Sequence, residues 1–409
     1  MIVTKNNQNK LVLFGAGKIG RSFIGQLFSR GGYEVVFIDL FKPVIDELNR
    51  RGNYKVVIKG EVESVITIRN VRGVFGGDTE QVITEIASAN ILAVSVGLNG
   101  LKSIIPLIAK GLILRYESSE ATPLDIIIAE NLRNAAEFMS HELKQHLPAG
   151  FPLEERVGLI ETSIGKMVPI ILIKDMDEDI LQVFAEPYNN LILDKKGFKN
   201  SIPEIEGLSP KENIKAWVDR KLFIHNLGHA TAAYLGFHFN PDFNYLYETL
   251  AVSEIHEQVR ETMLQAARIL LTKYPDDFTQ NTLTEHIDDL LFRFQNKALG
   301  DTVFRVGCDL KRKLSAEDRL AGAIHLAIEL NLPYNRILKS LVAGFYFRAG
   351  DEHGELLSDD HEFAKLFENG ILNVLTSICG FDSVKDKILF DQAELIAKEF
   401  NDFHKHKNT

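Results

Sequence analysis

The first half of the chain alternates short apolar runs with stretches of helical spacing. Residues 11–14 and 34–38 are rich in β-branched and apolar side chains, and residues 19–30 between them have helical spacing. Further apolar runs at 92–96 and 125–129 are each followed by a helical pattern, as at 131–145 for the second. Strands that alternate with helices predict a parallel sheet with crossover helices, so we expect an α/β domain.

The pattern changes after this region. Three runs, at 158–173, 180–186 and 189–194, have the pattern of strands with no helix between them, which predicts antiparallel additions to the sheet. From about residue 211 the chain has helical spacing almost throughout, over 213–235, 245–272, 284–296, 316–330 and 335–347. We therefore predict an α/β domain over residues 1–205 and an all-α domain over residues 206–409.

Composition and charge restrict the class of protein. The chain has 409 residues, a length that usually exceeds what a single hydrophobic core supports. Of these residues, 45% are hydrophobic, as in an ordinary globular protein. Its net charge of −10 gives no reason to expect a nucleic acid as partner. Two cysteines are too few for a disulfide framework, and we find neither a signal peptide nor an apolar run of the roughly 20 residues that a membrane helix needs. We expect a soluble, cytoplasmic protein.

A glycine-rich turn follows the first predicted strand. It reads GAGKIG and consists of Gly15, Ala16, Gly17, Lys18, Ile19 and Gly20. In a Rossmann-type domain the first glycine permits a tight turn, the second lets a pyrophosphate approach the backbone, and the third lets helix and strand pack closely. Asp39 lies nineteen residues beyond Gly20, where an acceptor for the adenosine ribose hydroxyls is needed. We predict that the first domain is of Rossmann type and binds a dinucleotide.

The residues around Asp39 bear on the choice of dinucleotide. The carboxylate of Asp39 would repel a 2′-phosphate, and Leu40 and Phe41 directly after it bring no cation to offset that repulsion. NAD is therefore favoured over NADP. Lys42 lies close enough in the sequence to keep NADP open.

A rival interpretation of the same turn is the phosphate-binding loop of nucleoside triphosphatases. Gly15, Gly20, Arg21 and Ser22 nearly satisfy its pattern, GxxxxGK[ST]. Arg21 stands in the position of the lysine, and a planar guanidinium is a poor substitute for a compact ammonium among phosphates. A kinase or ATPase is therefore disfavoured.

A second candidate for chemistry is the apolar segment AWVDRKLFIHNLGHATAAYLG at 216–236, which Lys221, Asn226 and His229 interrupt. At about 100° per residue these three side chains point near 0°, 140° and 80°, a broad single side from which they could converge on one small substrate. The alternative is that Lys221 extends its ammonium to solvent while the other two satisfy buried polar partners.

His225 and His229 form an HxxxH pair, a spacing that can bind a metal from one helix face. The pair lacks the glutamate of the HExxH pattern, and no nearby Asp, Glu or Cys stands out as a third ligand. We therefore expect no metal.

Lys221, Asn226 and His229 together match KxxxxNxxH, the signature of the long-chain, metal-independent polyol dehydrogenases. Other matching stretches, in the family's order and over most of the chain, are the glycine-rich turn, 93–112, 127–132, 219–236 and 306–320. The sequence resembles this family, and within it the mannitol-1-phosphate 5-dehydrogenase branch most. The resemblance implies NAD-linked interconversion of D-mannitol 1-phosphate and D-fructose 6-phosphate without a metal.

The resemblance also implies roles for individual residues. Lys221 is expected to be the general acid and base, Asn226 and Asn131 to donate hydrogen bonds to the reacting oxygen, and His229 to help hold the substrate. These roles suit the residue types, because a buried lysine can titrate near neutral pH and amides stabilise a developing alkoxide without competing for the proton.

The substrate is less narrowly defined than the reaction. Arg312 and Arg319 belong to the dense basic group of the helical half and are candidates for a substrate phosphate, although such groups usually form a solvated helix flank. Two stretches, at 97–100 and 293–297, depart from the branch's usual Gly-Pro and Asn-Pro. A relative that acts on free hexitols or on hexuronates such as tagaturonate or fructuronate, and a non-catalytic NAD-binding sensor, therefore stay as alternatives.

Overall fold

The computed structural model describes residues 9–117, 122–169 and 179–407. The chain divides into two compact units, Met1–Val218 and Asp219–Thr409. The predicted boundary at 205/206 lies thirteen residues earlier. The difference has a physical reason, because strand Leu208–Lys211 pairs in parallel with strand Leu191–Asp194 and so belongs to the sheet of the first unit.

Eleven strands lie in the described part of the first unit. They are β1 (Lys10–Phe14), β2 (Glu34–Asp39), β3 (Asn53–Ile58), β4 (Ser64–Arg69), β5 (Val71–Phe75), β6 (Ile91–Val94), β7 (Leu124–Ile128), β8 (Val157–Ser163), β9 (Val183–Ala185), β10 (Leu191–Asp194) and β11 (Leu208–Lys211). The main sheet has the order β11-β10-β8-β7-β6-β1-β2-β5. From β5 to β8 all neighbours are parallel, in the 3-2-1-4-5-6 arrangement of dinucleotide-binding folds. The predicted α/β fold is confirmed.

The three runs predicted as antiparallel additions have three different outcomes. Strand β8 is the sixth parallel strand, not an addition, because it pairs in parallel with β7. Strand β10 pairs antiparallel with β8, as predicted. Strand β9 lies in a separate sheet with β3 and β4, where it runs parallel to β3. Residues 170–173 of the first run lie outside the described residues.

The helices of the first unit lie on a sheet that is apolar on both faces. They are α1 (π-helical over Gly20–Gly25, then Gln26–Arg30), α2 (Lys42–Arg51), α3 (Thr79–Ala87), α4 (Gly97–Tyr116), α5 (Ala135–His146) and α6 (Leu153–Arg156). Leu11 and Leu13 of β1 belong to one apolar core, and Val12 and Phe14 belong to another. Successive side chains of a strand point to opposite faces, so both faces of the sheet are buried, as a parallel sheet requires.

Helix α4 is by length and composition the one helix of the described residues that could cross a membrane. It packs against α3 and α5. Leu101, Ile105 and Ile108 lie in the second apolar core, as expected of a core helix in a globular domain.

The described residues of the second unit form helices and connecting loops with one isolated β-bridge, between Tyr245 and Thr302, and the predicted all-α domain is confirmed. The first helix begins at Ile214, five residues before the boundary of the unit. Its helices are α7 (Ile214–Arg220, π-helical over Lys221–Asn226, then Leu227–Phe239), α8 (Leu246–Leu250), α9 (Ser253–Lys273), α10 (Gln280–Phe294), α11 (Val303–Gly307), α12 (Leu310–Lys313), α13 (Ala321–Glu329), α14 (Asn335–Phe345), α15 (Ser358–Phe367), α16 (Ile371–Ser377) and α17 (Lys387–Lys407). The last part of α7 is buried on most sides, against α8, α9, α11 and α14. The part of α7 that follows the π-helical turn is therefore held in the interior of this unit.

Candidate active site

The glycine-rich turn follows β1, and its three glycines have three different surroundings. Gly15 has a φ of +99°, and a Cβ there would lie 2.1 Å from the carbonyl oxygen of Ser95. A Cβ on Gly20 would lie 2.0 Å from the carbonyl oxygen of Gly15, so the helix packs directly on the turn. A Cβ on Gly17 would meet nothing within 4 Å. The backbone at Gly17 is therefore open to a ligand, as the approach of a diphosphate requires.

Asp39 lies at the end of β2, beside this turn. Its Oδ2 accepts a hydrogen bond from the Ala16 N–H at 2.7 Å, and its Oδ1 accepts one from the Phe41 N–H at 2.8 Å. Each carboxylate oxygen has a second lone pair, which leaves capacity to accept ribose hydroxyls. Lys42 pairs instead with Asp46, at 3.0 Å. The turn and Asp39 together fit the diphosphate and the ribose of a dinucleotide.

Arg21, the residue in the lysine position of the rival phosphate-binding pattern, faces the protein. Its Nε donates to the carbonyl oxygen of Ala16 at 2.6 Å, and its Nη1 donates to that of Ile180 at 3.0 Å. Burial lowers the pKa of this guanidinium. Since both bonds go to main-chain carbonyls, Arg21 ties α1 to its surroundings in a structural role.

Asn131 lies in the loop after β7, and the residue before it links two loops. Oε1 of Glu130 accepts hydrogen bonds from the N–H groups of Val96, at 2.7 Å, and Gly97, at 2.9 Å. Burial raises the pKa of this carboxyl. Glu130 therefore holds the loop after β7 to the start of α4, at the carboxyl ends of the strands, where open α/β sheets bind their ligands. The sequence analysis missed Glu130, although it stands directly before Asn131.

Lys221 and Asn226 are the first and last residues of the π-helical turn in α7. Hydrogen bonds in a π-helix join residues five apart, so these two residues lie one turn apart on one side of the helix. The sequence analysis, which assumed about 100° per residue, placed Asn226 about 140° away from Lys221. The extra residue in the turn corrects this angle and places the lysine and the asparagine on the same side of the helix. Such single π-helical turns are frequent at functional sites.

The amine of Lys221 is perturbed by its surroundings. Its pKa is lowered to about 8, first by burial and then by the positive charge of Arg319, against the opposing effect of Asp318. Part of the side chain stays accessible to solvent. A lysine with this pKa can give up and take back a proton near neutral pH, which a free lysine cannot do efficiently.

Of the two predicted phosphate ligands, the structure brings one to this turn. Arg319 is buried, its Nε donates to Oδ1 of Asp318 at 2.7 Å, and its Nη1 lies 3.5 Å from the carbonyl oxygen of Asn226. Arg312 is half exposed and pairs with Asp309 and, at 3.5 Å, with Asp318. The helix predicted from residue 316 begins only at Ala321, so the turn before it is free to carry this ion-pair network.

His229 is held by a carboxylate and an aromatic ring. Its Nε2 lies 3.2 Å from Oδ2 of Asp301, and its ring stacks on Phe294 with centroids 4.6 Å apart and planes 18° apart. Burial, followed by the charge of Arg305 and other cations, lowers its pKa well below the usual value, which favours the neutral form of the ring. Asp301 was missed because it lies 72 residues from His229 in the chain and no pattern joins the two.

The HxxxH pair has no metal-ligand cluster around it. His225 is buried, its ring lies against Phe294 at a centroid distance of 5.5 Å, and burial lowers its pKa well below the usual value. In the part of the chain that the structure describes, no three His, Cys, Asp or Glu side chains are grouped so that they could hold a metal ion.

Two further cations near His229 were also missed. Lys313 is buried, its Nζ donates to the carbonyl oxygen of Val306 at 2.8 Å, and burial followed by the charge of Arg319 lowers its pKa to about 8. Arg305 pairs with the second oxygen of Asp301, and burial lowers its pKa. Arg305, Lys313 and Arg319 all act electrostatically on the ring of His229. The region of the second unit that contains these three cations suits an anionic group.

Comparisons with known proteins identify the family of the chain. Residues 9–207 match the model of the mannitol dehydrogenase Rossmann domain, and residues 213–377 match that of the mannitol dehydrogenase C-terminal domain. A D-sorbitol dehydrogenase without substrate has a similar fold, with a TM-score of 0.79 and 17% identity over 95% of this chain and 92% of that chain. The mannitol 2-dehydrogenase of Pseudomonas fluorescens, solved with NAD and D-mannitol, has a TM-score of 0.71 and 16% identity over 97% and 92%. The chain therefore belongs to the mannitol dehydrogenase family of polyol dehydrogenases.

Proposed function

We propose that this protein is an NAD-dependent oxidoreductase that interconverts D-mannitol 1-phosphate and D-fructose 6-phosphate, with Lys221 as general acid and base and without a metal. Membership of the mannitol dehydrogenase family supports NAD as cofactor and a polyol as substrate. The observation that carries the proposal is the amine of Lys221, whose pKa is lowered to about 8 on the turn that also holds Asn226.

The residues of the first unit fit the cofactor. The open backbone at Gly17 would receive the diphosphate, and the carboxylate of Asp39 would accept the adenosine ribose hydroxyls and disfavour a 2′-phosphate. Ala16, Lys18 and Ile19 complete the turn that surrounds this position. When bound, NAD supplies the nicotinamide that exchanges a hydride with the substrate carbon.

The residues of the second unit handle the proton. Neutral Lys221 takes the proton of the substrate hydroxyl during oxidation, and the ammonium returns it during reduction of the ketone. The amide of Asn226 donates a hydrogen bond to the reacting oxygen and so stabilises its developing negative charge. By resemblance to the family we assign the same role to Asn131. His229 holds a further hydroxyl of the substrate.

The charge around His229 supports a phosphorylated substrate. Arg305, Lys313 and Arg319 bring three cations to this region, whereas Asp301 and Asp318 bring two carboxylates. The surplus positive charge favours an anion over a neutral hexitol. Arg312, which contacts Asp318, extends the basic group outward and remains a proposed phosphate ligand.

A substrate panel tests the proposal. NADH absorbance is followed while fructose 6-phosphate, other ketose phosphates, free fructose, tagaturonate and fructuronate are offered in turn. We expect strong reduction of fructose 6-phosphate. None of the other compounds is expected to be reduced at a comparable rate. Preferred reduction of a free ketose or of a hexuronate would establish the related hexitol or hexuronate oxidoreductase instead.

A variant separates an enzyme from a non-catalytic NAD-binding sensor. Lys221→Ala is expected to bind NADH normally and to lose turnover by about 10² to 10⁴, the usual contribution of general acid–base catalysis. Wild-type protein that binds NADH but turns over no member of the panel would favour the sensor. Activity is expected to survive exhaustive chelation with EDTA, and loss that Zn²⁺ restores would contradict the metal-free mechanism.

A further inference from the structure

The carboxylate that faces His229 is held more firmly than a surface ion pair. The side chain of Asp301 is only 4% exposed, and its Oδ2 lies 3.2 Å from Nε2 of His229. Its main-chain oxygen accepts a hydrogen bond from the Leu246 N–H at 2.9 Å. The next residue, Thr302, forms an antiparallel β-bridge with Tyr245. Both the side chain and the backbone of Asp301 are therefore fixed relative to the histidine.

The ring of His229 is fixed from two other sides. Phe294 stacks on one face, with centroids 4.6 Å apart, and the ring of His225 meets it edge-on at 6.1 Å. Stacking fixes the plane of the ring, but the two edges of an imidazole have nearly the same shape, so packing alone does not select the nitrogen. The contact at 3.2 Å with Oδ2 of Asp301 selects Nε2, because a ring carbon at that place could not form the hydrogen bond.

The chemistry of the pair determines where the proton of the ring lies. Arg305 pairs with the second oxygen of Asp301, and a carboxylate in an ion pair can only accept hydrogen bonds. A neutral imidazole has one N–H, and burial and nearby cations lower the pKa of His229 and so favour this form. The N–H must therefore be at Nε2, which leaves Nδ1 as the acceptor of the ring.

We propose that Asp301 is a positioning residue that locks His229 in the Nε2–H tautomer and so makes Nδ1 an acceptor that selects substrates with a hydroxyl next to the reacting carbon. The proposal rests on the proposed function for the contact between His229 and the substrate. A hydroxyl can donate a hydrogen bond to Nδ1. A carbonyl or an ether oxygen at that place has no proton to donate, and its lone pairs would repel the lone pair of Nδ1. The substrate class is thus a vicinal diol in oxidation and an α-hydroxy ketone in reduction.

The first test measures the tautomer directly. In wild-type protein with ¹⁵N-labelled histidine, the His229 resonances, identified by their loss in His229→Gln, are expected to show a protonated Nε2 and an unprotonated Nδ1. In Asp301→Asn, whose amide can accept or donate, both tautomers are expected. A protonated Nδ1 in the wild type would overturn the proposal. This measurement needs no substrate, so it is independent of the proposed function.

The second test asks whether Asp301 acts through His229. Asp301→Asn is expected to lower kcat/KM for fructose 6-phosphate about tenfold, by loss of one oriented hydrogen bond. The double variant with His229→Ala is expected to be no slower than His229→Ala alone, because coupled residues are not additive. Additive losses would mean a merely structural role and would refute the assignment.

Asp288→Asn is the matched control, because Asp288 also pairs with an arginine, Arg260, but lies at the surface. It is expected to leave the tautomer and kcat/KM unchanged. A substrate analogue without the neighbouring hydroxyl is expected to lose rate in the wild type and to lose little further in Asp301→Asn. Equal losses in both proteins would contradict selection through Nδ1.

Discussion

The guanidinium of Arg319 lies 3.5 Å from the main-chain oxygen of Asn226, at the end of the turn that begins with Lys221. A fixed positive charge thus stands beside the amine that is proposed to move the proton. After burial, this charge is the second cause of the lowered pKa of Lys221. One of the arginines that contribute positive charge around His229 therefore also lowers the pKa of the proposed base.

The first prediction concerns pH. Because the pKa of Lys221 is about 8, kcat/KM for polyol oxidation is expected to rise with pH and level off above about 8, whereas ketone reduction falls over the same range. Arg319→Gln removes a positive neighbour and is expected to move both profiles to higher pH. Arg260→Gln, a surface variant, is the control. An unmoved or lowered profile in Arg319→Gln would show that Arg319 does not tune this amine.

The second prediction compares two glycines of the same turn. Gly17→Ala adds a methyl group that meets no protein atom, so the melting temperature is expected to stay unchanged while the Kd for NADH rises about tenfold. Gly20→Ala places a methyl group against the carbonyl of Gly15 and is expected to destabilise the fold by about 1–3 kcal/mol. For both variants, calorimetry measures the melting temperature and NADH fluorescence titration measures the Kd. Normal NADH affinity in Gly17→Ala would show that the diphosphate does not bind at this position.

The third prediction concerns cofactor choice. Asp39→Ala is expected to weaken NADH binding and to relax the preference against NADPH, because the ribose acceptor and its repulsive charge are both lost. Asp46→Ala, which removes an exposed carboxylate paired with Lys42, is the control. Kinetic constants for both cofactors report the result. Unchanged constants in Asp39→Ala would reject its assignment to the ribose.

The fourth prediction concerns the substrate phosphate. Lys313→Met removes a buried ammonium and is expected to raise the KM for fructose 6-phosphate about tenfold or more, the effect of one charged hydrogen bond. The melting temperature is expected not to fall, because a buried charge is replaced by an apolar side chain of similar length. Lys311→Met, at an exposed pair with Glu362, is the control. An equal rise in KM for free fructose would argue against a phosphate contact.

The sequence predicted those features that depend on residues close together in the chain. The glycine-rich turn, Asp39 at the end of β2 and the KxxxxNxxH spacing are local patterns, and the alternation of strands and helices predicted the parallel sheet. The separate sheet of β3, β4 and β9 was not predicted, because its third strand, β9, lies more than a hundred residues from the adjacent strands β3 and β4. Pairing at that distance leaves no periodic signal.

The missed site residues have the same explanation. Asp301, Arg305 and Lys313 reach His229 only through tertiary packing, so nothing in their own surroundings in the chain distinguishes them from ordinary charged residues. Arg312 was chosen from the basic group, and its neighbour Lys313 proved to be the buried member. The choice between solvent and interior for adjacent lysines and arginines depends on the packing of a short helix, which periodicity does not reveal.

The wide turn at Lys221–Asn226 determines which insertions and deletions helix α7 can accept during evolution. A deletion of one residue between Lys221 and Asn226 would turn the wide turn into regular helix, and because the two residues would then be four apart, they would still lie on one side of α7. A deletion after Asn226, in the regular part of the helix, has no such turn to absorb it and would swing His229 by about 100° relative to the lysine. The spacing between the base and the histidine is thus under stricter constraint in the second half of this segment than in the first.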